Sequence, residues 1–214
     1  MSPEERKLRS EHILSERGFP VNPELPLVEA ESDISLRPLD EIGPRLFCLF
    51  FLVATAFEPD EKAFARYLRE HDFWPDLTPR ELEFFKAPAA DEQFRADASW
   101  RIEALNTLLW ASRVVEDLPP PSATCTLDEL APLFPTSTEP PEKLLDRLSL
   151  RPVSEILDLC DLTYRMHWAL KEVMLRGDDL DLPADAGIVH QRHHALNWLV
   201  RYEDEDWDEV SCDT

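Results

Sequence analysis

Apolar residues recur along most of the chain at the three- and four-residue spacing of an α-helix. The clearest stripe begins after Pro152 and ends before Gly177. Its members are Ile156, Cys160, Thr163, His167, Leu170 and Met174. No segment has the alternation of apolar and polar residues that is typical of strands, and no internal repeat is visible. The pattern predicts an all-α fold, a single compact domain of about seven to nine helices.

Short end signals place several of these helices. Capping boxes, in which a hydroxyl and a carboxylate three residues later each accept a backbone N–H, predict helix starts at 2–5, 78–81 and 126–129. Glycine favours the left-handed backbone that terminates a helix, so Gly18 and Gly177 predict two helix ends.

The longest apolar run, 46–57, lies in a helix predicted from about 38 to 57. Its twelve uncharged residues fall short of the roughly 20 that span a bilayer. We therefore expect a core helix that other helices surround. Gly43 and Pro44 lie in the same helix and predict a break or a kink.

Three segments fall outside the helical pattern. Their prolines predict an extended arm at 19–37 and a long loop at 117–141 with one or two helical turns. The tail, 203–214, has seven acidic residues and no basic one. We expect this tail to dock through Trp207, because a large aromatic side chain gains free energy by burial.

The charge is strongly negative, with 22 basic and 44 acidic residues and a net charge of −22. Binding to nucleic acid or to an anionic membrane requires basic patches, so both partners are disfavoured. A basic protein partner is favoured, although the same acidity can serve solubility alone. The chain has only 4 glycines, well separated, so it has neither a Walker A loop nor a GxGxxG turn.

The four cysteines, Cys48, Cys125, Cys160 and Cys212, form no CxxC pair. The first residues are charged and are not followed by an apolar segment. These features predict a cytoplasmic protein with reduced thiols and no cofactor.

Three Trp-containing phrases carry a family resemblance. The first runs from Trp100 to Leu105 and continues at 108–111, and the second is 161–169. The third begins at Arg192, continues through 195–199 and closes at 207–214. In this order the phrases resemble the bacterial family known as domain of unknown function 4272, over residues 14–214.

The resemblance implies a stand-alone intracellular bacterial domain, without an assigned activity, cofactor or catalytic residue. The positions that match the family pattern are Trp100, Arg101, Glu103, Trp110, Arg165, His167, Trp168, Arg192, Asn197, Trp198, Trp207, Asp208 and Asp213. The family typically has Glu-Arg-Arg where this chain has Gln-Arg-His at 191–193. A mechanism that needs a carboxylate at Gln191 is thereby weakened.

Polar residues among these positions form the candidate site. They are Arg101, Glu103, Arg165, His167, Arg192, Asn197 and Asp208. Such a cluster between helices suits a ligand cleft, with three arginines for an anionic small molecule. It equally suits a buried network that sets helix register. Asp161 and Arg165, four residues apart, predict an ion pair on a helix surface.

A metal site is a weaker candidate. His190 and His194 are one helical turn apart and share a face, with His193 beside them. A third ligand would have to come from Asp161 or His167.

Three functional hypotheses follow. The first is an acidic interaction domain, such as an inhibitor or immunity-type protein that masks a basic partner. The alternative is an enzyme or small-anion-binding protein that uses the polar cluster. In the third, all these motifs are structural and the loop 117–141 carries the function.

Overall fold

The computed structural model describes residues 1–58, 62–88, 91–136, 138–177 and 181–214. Within these ranges it has nine α-helices and no strand, which confirms the predicted all-α class. The helices are α1 (Pro3–Glu16), α2 (Leu39–Phe57), α3 (Lys62–Glu70), α4 (Pro79–Lys86), α5 (Glu92–Ala111), α6 (Leu127–Leu130), α7 (Glu142–Leu145), α8 (Val153–Arg176) and α9 (Ala186–Leu199).

The helix ends follow the local signals in the sequence. Capping boxes form at all three predicted positions, at the starts of α1, α4 and α6. Gly18 follows α1 with φ at 81°, and Gly177 caps α8 with φ at 68°. Both values lie in the left-handed region that glycine adopts at little cost.

The domain contains two compact units. The first unit comprises Met1–Leu36, Pro119–Thr124 and Arg151–Thr214. The second unit comprises Arg37–Leu118 and Cys125–Leu150. The chain therefore passes between the units four times, and the loop 117–141 contributes to both of them.

The second unit is built around α2. Every residue of this helix from Arg45 to Ala56 is buried, as expected for a core helix that others surround. Aromatic rings fill the space beside it: Phe47 stacks on Phe73 with centroids 4.5 Å apart, and Phe50 stacks on Phe134 at 4.0 Å.

Helix α2 runs continuously through Gly43 and Pro44, so of the predicted break or kink the break does not occur. Pro44 is the sixth residue of the helix, so its ring disturbs only the carbonyl of Asp40 in the first turn. Gly43 has a packing role, because a Cβ atom here would lie 2.7 Å from the Leu145 side chain.

A buried ion pair accompanies this core. A terminal guanidinium nitrogen of Arg45 donates to Glu81 Oε2 at 2.6 Å, and both side chains are 5% exposed. The same carboxylate accepts the backbone N–H of Thr78 and so completes the α4 capping box. One side chain thus links helix capping to the packing of α4 on α2.

The first unit is built from α1, α8 and α9. Leu14, Met166, Ala169 and Val189 meet in its apolar core. The predicted α8 stripe is buried as far as Leu170. The last member of the stripe, Met174, is instead 71% exposed, because it lies in the exposed last turn of the helix.

The proline-rich segments run against these helices. The arm 19–37 is held by Lys7, whose ammonium group donates to the carbonyls of Pro23 and Leu25. In the loop 117–141, of which residue 137 is outside the described ranges, the carbonyl of Pro121 accepts the N–H of Asp185 at 2.7 Å. The rest of this loop carries α6 and a 3₁₀ turn at Ala131–Leu133.

None of the helices in the described ranges combines the length and the apolar character that a membrane span requires.

The Arg45–Glu81 pair yields a stability prediction. Glu81→Ala removes the carboxylate from a buried guanidinium, so we expect a loss of about 3–5 kcal/mol in the free energy of unfolding. Glu5→Ala is the matched control, because Glu5 has the same capping role on the exposed face of α1. We expect the control to lose only about 1 kcal/mol in urea denaturation. Equal losses would show that the buried pair adds nothing to the cap.

Candidate functional site

The C-terminal segment lies against α9. The Trp207 side chain is 3% exposed. It packs edge to face on the rings of His194, with centroids 4.6 Å apart, and Trp198, at 5.2 Å. The Asn197 side chain donates from Nδ2 to the carbonyl of Ser211 at 2.8 Å. Two ring contacts of Trp207 and the Asn197 amide hydrogen bond therefore connect this acidic segment to the helix.

A buried ion pair holds the arm 19–37 on α8. Asp161 and Arg165 form the predicted pair, with bidentate hydrogen bonds of 2.8 and 3.0 Å. The prediction placed the pair on a helix surface, but the side chains are 0% and 2% exposed. The arm and α1 cover the pair: Arg165 donates to the carbonyl of Pro26 at 2.9 Å and lies 3.8 Å from a Glu11 carboxylate oxygen.

A cavity of about 560 Å³ lies in the first unit, between the arm, α8, α9 and the C-terminal segment. Its size is typical of sites for small organic molecules, roughly 300–1,000 Å³. The lining is part apolar and part polar. It consists of Pro26, Leu27, Val28, Glu29, Cys160, Tyr164, Lys171, His193, Asn197, Val200, Tyr202, Asp213 and Thr214.

Two histidines form a pair at the buried side of this cavity. His167 on α8 and His193 on α9 are 4% and 3% exposed, and their Nδ1 atoms are 2.9 Å apart. Burial lowers the pKa of His167 to about 4, with further effects from Lys171 and His190. Burial also lowers the pKa of His193 to about 3, with a contribution from His167. Both rings are therefore neutral at neutral pH.

The pairing determines which ring atoms face a ligand. Two neutral imidazoles can make this contact only if one Nδ1 carries a proton and the other accepts it. Among the described residues no hydrogen bond reaches the Nε2 atom of either ring. Since His193 lines the cavity, its Nε2 atom is available there. It is an acceptor when His193 donates through Nδ1, and a donor in the opposite tautomer.

Charged groups lie around the opening of the cavity. Glu29, Lys171 and Asp213 are all exposed lining residues, while His193 and Asn197 are buried. The Lys171 ammonium group donates to the carbonyl of Cys212 at 3.4 Å. The opening thus has two carboxylates and one ammonium group, whereas the buried side is neutral and polar.

The thiol and the phenol groups that line the cavity are neutral as well. Burial raises the pKa of the Cys160 thiol far above its ordinary value, so this cysteine is a poor nucleophile. Burial also raises the pKa of Tyr164 and of Tyr202. For Tyr202, nearby carboxylates including Asp213 and Glu29 add to the effect, which indicates a negative potential at this end of the cavity.

The predicted site residues are distributed over both units. His167, Arg165, Arg192, Asn197 and Asp208 lie in the first unit, and of these only Asn197 lines the cavity. His167 contacts the cavity through His193, Arg165 is engaged by Asp161, and Arg192 is buried at 5% exposure.

Arg101 and Glu103 lie on α5 of the second unit. The Glu103 side chain is fully buried, and its carboxylate accepts the backbone N–H of Cys125 at 2.6 Å. This hydrogen bond anchors the start of the 125–150 segment within the second unit.

The predicted polar site left out several cavity residues: Tyr164, Lys171, His193, Tyr202 and Glu29. Of these, the sequence analysis named only His193, beside the weak metal candidates. Tyr164 and Lys171 flank His167 at three and four residues, so helical spacing from His167 is a signal that could have found them. The partner His193 is 26 residues away on another helix, where no spacing rule applies.

The two histidines of the weak metal candidate, His190 and His194, contact different side chains. The His194 ring packs on Trp207, and the exposed His190 ring lies 5.4 Å from that of His167. In the part of the chain that the structure describes, no three His, Cys, Asp or Glu side chains are grouped as metal ligands.

Comparison with known proteins identifies one family. A family model described as a domain of unknown function (DUF4272) matches residues 6–210. No curated protein and no solved structure matches the chain.

The histidine pair predicts an acid-sensitive stability. The unfolded chain binds protons near pH 6.5, whereas the folded pKa values are about 4 and about 3, so protons stabilise the unfolded state over this window. We expect the free energy of unfolding to fall by up to about 1.4 kcal/mol per pH unit for each histidine as the pH drops from 6.5 to 4.

Urea denaturation at several pH values tests this expectation. The double variant His167→Asn/His193→Asn removes both titrating rings and should show a shallower pH dependence than the unmodified chain. His12→Gln is the control, because the His12 side chain is 72% exposed. A double variant with an unchanged slope would contradict the assignment.

Proposed function

We propose that this chain, which belongs to the DUF4272 family, binds a small organic molecule in the cavity of its first unit. The observation that carries the proposal is the cavity itself, about 560 Å³ with a neutral polar side, an apolar wall and a charged opening. Leu27, Val28 and Val200 supply apolar surface, and His193 and Asn197 supply polar atoms of defined direction.

Two buried interactions preorganise this site. The Nδ1 contact with His167 orients the His193 ring, and the hydrogen bond to Ser211 orients the Asn197 amide. Because the polar groups are already oriented, a ligand loses little free energy in ordering them.

The same groups favour binding over catalysis. The raised pKa of Cys160 disfavours the thiolate that a nucleophile requires. The lowered pKa of His193, about 3, makes its imidazole a weak base near neutral pH. Arg165, which the sequence suggested for an anionic ligand, is already engaged by Asp161.

The net charge of −22 favours a second candidate, recognition of a basic protein partner that the chain masks. The reducing cytoplasm of a bacterium is the compartment we propose for either function, since all four cysteines are free thiols.

A cavity-filling variant tests the small-molecule proposal. Leu27 lines the cavity and is 44% exposed, so Leu27→Trp adds bulk at the opening at little cost to folding. Leu8→Trp is the matched control on α1, at a leucine that is 65% exposed. We screen amine, alcohol and carboxylate metabolites by thermal shift.

At least one compound should raise the melting temperature of the unmodified chain and of Leu8→Trp, but not of Leu27→Trp. A library without such a compound would contradict the proposal.

The second candidate has a separate test. The tagged chain is incubated with lysate of its own host, and a captured basic protein is then purified and titrated against it. Electrostatic recognition predicts a 1:1 complex whose affinity falls by roughly tenfold or more between 50 and 200 mM salt. An affinity that does not depend on salt would count against the charge argument.

A further inference from the structure

We infer that the cavity ligand is an aliphatic diamine or polyamine, which places one ammonium group at the buried side of the cavity and another in an acidic cavity beside it. This inference rests on the proposed small-molecule function and names the ligand class. Its support comes from three features of the first unit: the acceptors on the buried side, the charge of the two cavities, and the residues that they share.

The buried side of the cavity offers acceptors. The Asn197 amide directs Nδ2 to the Ser211 carbonyl, which can only accept, and this bond fixes the orientation of the amide. Oδ1 and the second N–H of Nδ2 remain for a ligand, and of these Oδ1 is an acceptor. His193 is 3% exposed, and its Nε2 atom has no hydrogen-bond partner among the described residues. When His193 donates through Nδ1 to His167, that Nε2 atom is an acceptor as well. An ammonium group has three N–H donors and matches such a set.

The protonation of the histidine pair agrees with a cationic ligand. Burial, with smaller contributions from His167, His190 and the Lys171 ammonium group, holds the pKa of His193 at about 3, so the ring beside the ligand is uncharged at neutral pH. An anion would favour an imidazolium ring at this place, whereas an ammonium group favours the neutral ring.

A second cavity adjoins the first. It has a volume of about 510 Å³ and shares Glu29, Val200 and Tyr202 with the first cavity. Its other lining residues include the acids Asp33, Glu203 and Asp204. Both cavities lie within the first unit, and the shared residues make them neighbours. We call the two cavities together the groove.

The groove as a whole is acidic. Its lining side chains include five carboxylates, from Glu29, Asp33, Glu203, Asp204 and Asp213. Among the described residues that line it, two side chains are cationic: Arg201 donates to Asp204 at 3.1 Å, and Lys171 donates to the carbonyl of Cys212. The Asp33 carboxylate accepts a hydrogen bond from Ser32 Oγ at 3.0 Å and has further lone pairs, so Glu29 and Asp33 can both accept from a second ammonium group. The Tyr202 ring, which lines both cavities, suits a cation or an alkyl chain.

The test uses four six-carbon probes that differ only in their end groups. Hexane-1,6-diamine, hexylamine, hexane-1,6-diol and adipate are titrated calorimetrically into the full chain in about 150 mM salt, where surface charges are screened. We expect the diamine to bind at least about tenfold more tightly than the diol, hexylamine to lie between them, and adipate not to bind.

Variants separate this groove from the general negative field of the protein. Glu29→Gln/Asp33→Asn should weaken diamine binding by about tenfold and leave the diol unaffected. Glu83→Gln/Glu92→Gln removes two exposed acids of the second unit and should leave diamine binding unchanged. Circular dichroism establishes that each variant is folded.

The outcomes discriminate between the two proposals. If the two double variants lose diamine affinity equally, the amine assignment is overturned. It is also overturned if the diamine binds no more tightly than the diol and if MgCl₂ and NaCl, at matched ionic strength, reduce its binding equally. The diol or adipate could instead bind as tightly as the diamine, with Leu27→Trp abolishing that binding. This outcome would overturn the ligand class but retain the small-molecule function. No binding by any probe would overturn the amine class, and the metabolite screen would then decide the function separately.

Discussion

The buried Asp161–Arg165 pair is the interaction on which the first unit depends. Removing two charges from water costs several kcal/mol per ion, and only near-complete pairing offsets that cost. Asp161 provides two hydrogen bonds, and the carbonyl of Pro26 provides a third. The arm must therefore lie across α8, because otherwise the guanidinium would lose its third acceptor. Since the arm forms one wall of the cavity, the same interaction positions Leu27 and Glu29 at the opening.

The cost of removing charge from water also determines the polar groups of the cavity. The buried residues that are described in its lining, among them His193 and Asn197, carry no charge, and their polar groups avoid the desolvation cost by remaining neutral. His167 and His193 achieve this by sharing one hydrogen bond, which also places an Nε2 atom at the cavity. The charged residues that the structure describes in the lining, Glu29, Lys171 and Asp213, are all exposed at the opening, where water screens their charge. This division between a neutral interior and an acidic opening is the basis of both proposals about the ligand.

The sequence predicted correctly those features that depend on interactions between residues close together in the chain. Capping boxes and the glycines at 18 and 177 are decided within one helical turn, and they were predicted correctly. The sequence predicted a break or a kink in α2, and the break does not occur, since Pro44 lies close enough to the helix start for the helix to continue. The spacing of Asp161 and Arg165 predicted their ion pair, but burial depends on what other segments cover, so its placement on a surface was wrong.

The sequence by itself determined the helical class, the family, the net charge and the positions of the helix ends. These properties follow from composition, from the 3.6-residue period and from contacts within a few residues. Only the tertiary structure decided that His167 meets His193 across 26 residues, and that the arm and the C-terminal segment enclose a cavity with them. The reason is physical: contacts between elements arise from packing and from the pairing of buried polar groups, which depend on every element present and not on any one stretch of sequence.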